Sequence, residues 1–192
     1  MSRKSIKKEA LLAASFKLFT EKGFKDTSIQ EIVDQAGVGK GTFYVYFKDK
    51  YDLQEQLIIQ KSNDLFHKAL EALDNQKISD FGDQIIFIID YVINELIANQ
   101  TLLKFISKDL SLGLYNEKIT NIIDNHNIGI KELFLIKIKE NNLKIDNPDV
   151  ILYMIIELTS STCFSCIMKN EPLPIAEYKP YLYKSIKKLL DI

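Results

Sequence analysis

The sequence predicts an all-α protein, and three features of its 192 residues carry that prediction. All four prolines lie at or after position 148, so the first 147 residues lack the residue that interrupts helices most strongly. Apolar residues recur at helical spacing along the chain, and no stretch alternates in the way that a half-buried strand does. Glycines and capping residues stand where such helices begin and end.

The first two helices are short and have clear ends. The first is predicted from about residue 5 to about residue 22, and Gly23 follows where a left-handed C-cap is wanted. Two overlapping capping boxes, one beginning at Thr27 and one at Ser28, fit the start of the next helix, so its first residue is predicted to within one position. Either box opens a second helix of two turns.

Gly37 permits a sharp turn after the second helix, and a third short helix is predicted over about 39–46. Asp49 caps the next helix, and Asp52 adds a second carboxylate near its N-terminus. From this point the helical stretches lengthen. They are predicted over about 49–74, 80–98, 101–110, 116–140, 148–169 and 175–191.

Charge is distributed unevenly along the chain, whose net charge is -1. Residues 1–50 contain ten Lys and Arg against six Asp and Glu, whereas residues 51–192 contain fifteen against twenty. A basic first segment favours nucleic acid as its partner, although ordinary solvated lysines give the same count.

The chain opens without a continuous apolar signal core, and its longest apolar run, 150–156, is shorter than a bilayer span. We therefore expect a cytoplasmic protein without a membrane partner.

The sequence contains no recognisable catalytic set, phosphate-binding loop or metal cluster. Cys163 and Cys166 form a CxxC that fits a redox pair, half a zinc site, or two reduced cysteines on a buried helix face. His67 and His126 lie far away without ligand spacing, so we predict the third alternative. We expect no enzymatic activity, no cofactor and no metal.

Residues 27–53 read TSIQEIVDQAGVGKGTFYVYFKDKYDL. Two short helices joined by a tight glycine turn fit a helix-turn-helix, although small helical hairpins also occur in protein cores. The stretch resembles the TetR/AcrR family of bacterial transcriptional regulators, which share its Thr/Ser pair, its Ala-Gly-Val turn and its Gly-Thr-Phe-Tyr run before a lysine. Outside it, the resemblance rests on length and helical layout.

Two groups of residues are candidates for contacts with DNA phosphates. Thr27 and Ser28 open the second helix, where an amide and a hydroxyl can hold one phosphate together, and Lys50 can do so from the opposite side. The resemblance implies that Tyr44 and Tyr46 also reach the phosphate backbone. Many family members have His where Tyr46 stands.

The third helix is the candidate for reading bases. Glycines at 39 and 41 remove side chains where this helix must approach DNA closely, which leaves Lys40, Thr42 and Tyr44 directed at the major groove. Lys40 can donate to guanine O6 or N7, and the Thr42 methyl group can touch a thymine. Gly41 is thus included among the DNA-binding residues.

The remainder of the chain offers apolar surface. The resemblance implies a DNA-binding domain over 1–48 and an effector-binding and dimerisation domain over 49–192, with helices 148–169 and 175–191 pairing across a twofold axis. The small residues 159–163 suit that seam or packing within one chain. His67, His126 and Glu157 are possible polar handles for an effector of unknown identity.

We thus expect a homodimeric repressor that binds a near-palindromic double-stranded operator and is released by a small apolar or amphipathic effector. The alternatives are a transcriptional activator and a helical interaction or small-molecule carrier module without DNA binding.

Overall fold

The computed structural model describes residues 3–106, 110–111 and 130–192. Within these ranges the chain is helical and contains no β-strand, which confirms the predicted fold class. The helices are α1 (Arg3–Glu21), α2 (Ile29–Ala36), α3 (Lys40–Tyr46), α4 (Lys50–Asp74), α5 (Phe81–Ala98), α6 (Gln100–Ile106), α7 (Ile130–Glu140), α8 (Pro148–Lys169) and α9 (Ile175–Leu189).

The predicted helix ends agree closely with these bounds where both are described. The helix predicted over 116–140 ends at Glu140 as expected, but its first part, 116–129, lies outside the described residues. Residues 107–109 of the helix predicted over 101–110 also lie outside them. Proline at the first position of α8 and an Asn147 side chain that accepts from the Val150 amide explain where α8 begins.

The chain forms two compact units, Met1–Ile58 and Ile59–Ile192. They divide inside α4, whereas the sequence analysis placed its functional boundary after residue 48. That functional boundary stays a prediction, because packing alone does not test what each part binds.

In the first unit, α1, α2 and α3 pack against one another around an apolar core. Gly37 ends α2 in the left-handed conformation, with φ of 65°, and the following Val38 amide donates to the Val33 carbonyl. Glycine adopts this conformation at less cost than residues with a Cβ, so Gly37 favours the turn into α3. The core consists of buried side chains from these helices and the start of α4: Leu11, Leu18, Phe19, Ile32, Val33, Phe43, Phe47, Leu53 and Leu57.

In the second unit, α8 contacts α5, α7 and α9, and α5 also contacts α6 and α9. Asp90 on α5 accepts hydrogen bonds from Lys179 Nζ, at 2.6 Å, and from the Tyr183 hydroxyl, both on α9. Two turns before Asp90 on α5, Asp83 Oδ1 lies 2.6 Å from Lys187 Nζ. Burial and the neighbouring Asp90 carboxylate raise the pKa of Tyr183 above its usual value. These polar contacts fix α9 in an antiparallel register along α5.

Both cysteines are buried on α8, and neither forms a disulfide. Burial raises the pKa of the Cys163 thiol to about 12 and that of Cys166 in the same direction, so both remain protonated at neutral pH. The described residues contain no cluster of three or more potential metal ligands. The prediction that both cysteines lie on a buried helix face is confirmed.

By length and composition α8 is apolar enough to cross a membrane, and α5 with α6 passes the same test only as a bent pair. A core helix has the same composition, and α8 buries Leu152, Ile155 and Ile156 within its own unit. The apolar character of α8 is therefore explained in part by the core.

Candidate nucleic-acid interface

Two aromatic side chains hold α3 against the first unit. Phe43 is 0% exposed and Phe47 is 1% exposed, and their ring centroids lie 5.5 Å apart. Because they are four residues apart, they lie on one side of α3 and bury that side. Both rings therefore belong to the core of the first unit.

The opposite side of α3 is open to solvent. Lys40 and Gly41 are exposed, Tyr44 is 54% exposed, and Val45 is 68% exposed. We call these four residues the α3 outer face. Thr42 and Tyr46 are half-buried at its two edges. The sequence analysis identified three of the four residues of the outer face but missed Val45.

The glycines of the opening motif have different physical causes. Gly37 is required by its left-handed backbone, as described above. Gly39 has φ of -77°, Gly41 has no positive φ, and a Cβ added at either would meet no atom within 4 Å. Glycine inside a helix costs about 1 kcal/mol relative to alanine. Neither packing nor backbone conformation within the described residues requires glycine at position 41.

A capping box within α2 itself satisfies backbone amides at the start of this helix. Ser28 Oγ accepts a hydrogen bond from the Glu31 amide, while the Glu31 carboxylate accepts from the Ser28 amide at 2.8 Å. Lys22 Nζ lies 2.5 Å from Glu31 Oε1. Hydrogen bonds from Lys22 and then from the Ser28 amide lower the pKa of Glu31 to about 2. Ser28 is exposed, but a phosphate would compete with Glu31 for its amide and hydroxyl.

Thr27 points into the first unit. Its side chain is 1% exposed, and its hydroxyl donates to the Gly23 carbonyl at 2.8 Å. The sequence analysis placed this hydroxyl at a DNA phosphate, whereas in the structure it is bonded within the first unit. The side chain instead stabilises the turn between α1 and α2.

Lys50 also serves that turn. Its Nζ donates to the carbonyls of Phe24 and Thr27, both at 2.6 Å, and lies 4.4 Å from the centroid of the Phe24 ring. Lys25 O is a third carbonyl within reach, at 3.5 Å. An ammonium group has three donors, so these carbonyls together occupy it. The sequence placed Lys50 at a phosphate because it begins a helix, whereas its partners lie more than twenty positions earlier.

Comparisons with known proteins agree with this geometry. A family model described as bacterial regulatory proteins, tetR family, matches residues 11–57. YerO, an uncharacterised HTH-type transcriptional regulator of Bacillus subtilis, is 50% identical over 44 residues, which cover 23% of this chain and 15% of YerO.

Two solved structures share the architecture of the chain. A TetR family transcription regulator of Marinobacter aquaeolei has a TM-score of 0.64 at 17% identity, covering 97% of this chain and 96% of that one. FadR of Bacillus subtilis, a transcriptional regulator solved in complex with stearoyl-CoA, has a TM-score of 0.58 at 16% identity, covering 93% and 96%.

The first part of the chain, residues 11–57, is therefore similar to the tetR family of bacterial regulatory proteins. At this level of identity the solved structures establish the fold only, and the stretch matched in YerO is a small part of that protein. The helix-turn-helix within the matched residues consists of α2 and α3, joined by the turn at Gly37. The predicted resemblance to this family is confirmed over residues 11–57.

We expect Lys50→Met to lower the free energy of unfolding by about 1 to 3 kcal/mol, because it removes charged hydrogen bonds to the turn carbonyls. Lys48→Met is the matched control: Lys48 is exposed, and the change leaves its backbone amide bonded to Asp52. The control is expected within about 0.5 kcal/mol of the parent protein. Urea denaturation measures both, and equal stability of the two variants would show that the Lys50 ammonium does not hold the turn.

Proposed function

We propose that the chain is a ligand-responsive transcriptional repressor that binds duplex DNA through the α3 outer face. The observation that carries the proposal is the bare surface at Gly41, flanked by an exposed lysine and an exposed tyrosine. A helix that enters a major groove benefits from such a surface, because a missing side chain lets the backbone approach the base edges at the floor of the groove. A surface that only faces water gains no such benefit.

Each residue of this surface has a proposed role. Lys40 donates to guanine O6 or N7, and Gly41 lets the backbone approach the bases. Tyr44 reaches a phosphate with its hydroxyl, as the family resemblance implies. Thr42 and Tyr46 lie at the edges, which suits contacts with the walls of the groove better than the thymine contact first assigned to Thr42.

Ser28 is the proposed phosphate ligand near α2, because the side chains of Thr27 and Lys50 are hydrogen-bonded within the first unit. Thr27 and Lys50 then act indirectly, by fixing the turn from which α2 starts. A phosphate beside Ser28 also lies near Lys22, which is exposed and offsets the charge of Glu31.

The proposed repressor acts as a homodimer. Val150, Tyr153 and Met154 on α8 are 49%, 46% and 43% exposed, and Tyr181 on α9 is 65% exposed. The first three share one side of α8 at helical spacing. When a second copy of the chain covers this apolar stripe, the dimer has two helix-turn-helix motifs with which to bind a near-palindromic operator.

The small residues of α8 contribute less to such a seam than the sequence suggested. Thr159, Ser160 and Cys163 are buried within the chain itself, and Ser161 is exposed. Intrachain packing thus accounts for most of this run. The larger exposed side chains one to two turns earlier supply the proposed interface.

The effector site is proposed in a cavity of about 480 Å³ inside the second unit. Its wall is mainly aliphatic and aromatic, drawn from α4, α5, α7 and α8, with Gln84 and Lys137 among its few polar groups. This volume and lining fit an amphipathic ligand with a long apolar part. FadR, the neighbour solved with stearoyl-CoA, makes acyl compounds suitable probes. His67 and Glu157 are not among the lining residues, and His126 lies outside the described residues.

A carrier of small apolar molecules is the competing function. It would use the cavity, but it would not need the bare outer face of α3. The same DNA-binding geometry also serves an activator, so the sign of regulation is proposed from the family resemblance rather than from the site.

Gly41→Ala tests the DNA-binding proposal. The added methyl group favours the helix by about 1 kcal/mol but occupies the surface proposed to lie against bases, so we expect stability to rise while affinity for a selected duplex falls at least about tenfold. The duplex is first selected from a random pool, and binding is measured by fluorescence anisotropy at several salt concentrations.

For the unchanged chain we expect two copies per duplex and an affinity that falls steeply with salt. Glu71→Ala, an exposed change on α4, is expected to bind like the unchanged chain. A carrier would show no preference for any duplex. Undiminished binding by Gly41→Ala would remove the argument from the bare surface.

Val92→Phe tests the effector site by filling the cavity. We expect stearoyl-CoA or a shorter acyl-CoA to release the unchanged chain from its duplex, and to release Val92→Phe much less because the space for the acyl chain is lost. Ile136→Phe, on α7 but outside the lining, is the control. Equal release of all three proteins would place the ligand elsewhere, and no release by any acyl-CoA would exclude this ligand class.

A further inference from the structure

We infer that Val45 is a specificity-determining residue whose isopropyl group contacts the 5-methyl group of a thymine in each half of the operator. The inference rests on the proposed DNA-binding function and adds to it a base contact that the sequence analysis did not assign. Three observations on α3 support it.

The first observation is the exposure of Val45. At 68%, it is the most exposed Val, Ile, Leu or Met side chain among the described residues. Valine is a weaker helix former than alanine, lysine or glutamine, because its branched Cβ loses rotamer freedom against the preceding turn. Valine therefore adds nothing to helix stability at this position, and its exposed isopropyl group is available to pack against a partner.

The second observation is the relation of Val45 to Gly41. The two residues are four apart and therefore lie on the same side of α3. Side chains on a helix lean toward its N-terminus, so the isopropyl group of Val45 lies over the turn that contains Gly41. A Cβ added at Gly41 meets no atom within 4 Å, so the space beside the isopropyl group is open. The point at which the α3 backbone can approach DNA most closely therefore lies beside the exposed isopropyl group of Val45.

The third observation concerns the chemistry that this arrangement can recognise. Valine has no donor or acceptor, so it cannot read the polar groups of a base edge. The thymine methyl group is the one apolar group that the four bases present in the major groove. Lys40 belongs to the same outer face and lies one turn before Tyr44. Its ammonium group suits a guanine rather than a thymine, because it can donate hydrogen bonds to O6 or N7. Together they would read a thymine and a guanine within one half-site.

Single deoxyuridine substitution tests the inference, because uracil differs from thymine only by lacking this methyl group. Each thymine of a duplex selected by the unchanged chain is replaced in turn, and the dissociation constant is measured. We expect one position in each half-site where the replacement weakens binding about fourfold, the effect of exposing one buried methyl group. Val45→Ala is expected to bind the thymine and uracil duplexes equally at that position.

The control is Ile97→Ala, which shortens an exposed aliphatic side chain on α5 and should keep the full uracil penalty. The inference is overturned if no single replacement weakens binding, or if the penalty persists unchanged in Val45→Ala. The first result would leave Val45 against sugar or solvent, and the second would assign the methyl contact to another residue. If no duplex is selected at all, the proposed function itself fails.

Discussion

The burial of Phe43 and Phe47 is the constraint on which the DNA-binding surface depends. Both rings lie almost fully within the first unit, and their four-residue spacing leaves α3 a single buried side. Every other residue of this short helix is then assigned to the outer face or to its edges. The left-handed turn at Gly37 supplies the second condition, because it sets the path by which the chain leaves α2 and enters α3.

The sequence predicts the helices and the helix-turn-helix because their signals are local. Ser28 with Glu31, Gly37 and Pro148 each act within one or two turns, and the structure places them as caps and turns. The roles of Thr27 and Lys50 are not local. Each looks like a phosphate ligand at a helix start, yet each bonds to the α1–α2 turn, which only the tertiary structure brings within reach.

In the second unit, too, the sequence does not predict contacts between residues that lie far apart along the chain. Asp90 and Lys179 are 89 positions apart and read as ordinary surface charges, but together with Tyr183 they fix α5 beside α9. The cavity could not be placed from sequence, since its lining comes mainly from four helices and the apolar periodicity of each also fits plain core packing. Val45 was missed because its exposure depends on which side of α3 the two phenylalanines bury.

Methylation interference on the selected duplex tests most directly whether the α3 outer face enters a major groove. Dimethyl sulfate methylates guanine at N7 in the major groove and adenine at N3 in the minor groove, so one treated pool reports on both grooves. The account predicts that N7 methylation of a guanine in each half-site blocks binding, while adenine N3 methylation in the same half-sites leaves it intact. Interference confined to adenine N3, or absent at every guanine, would contradict it.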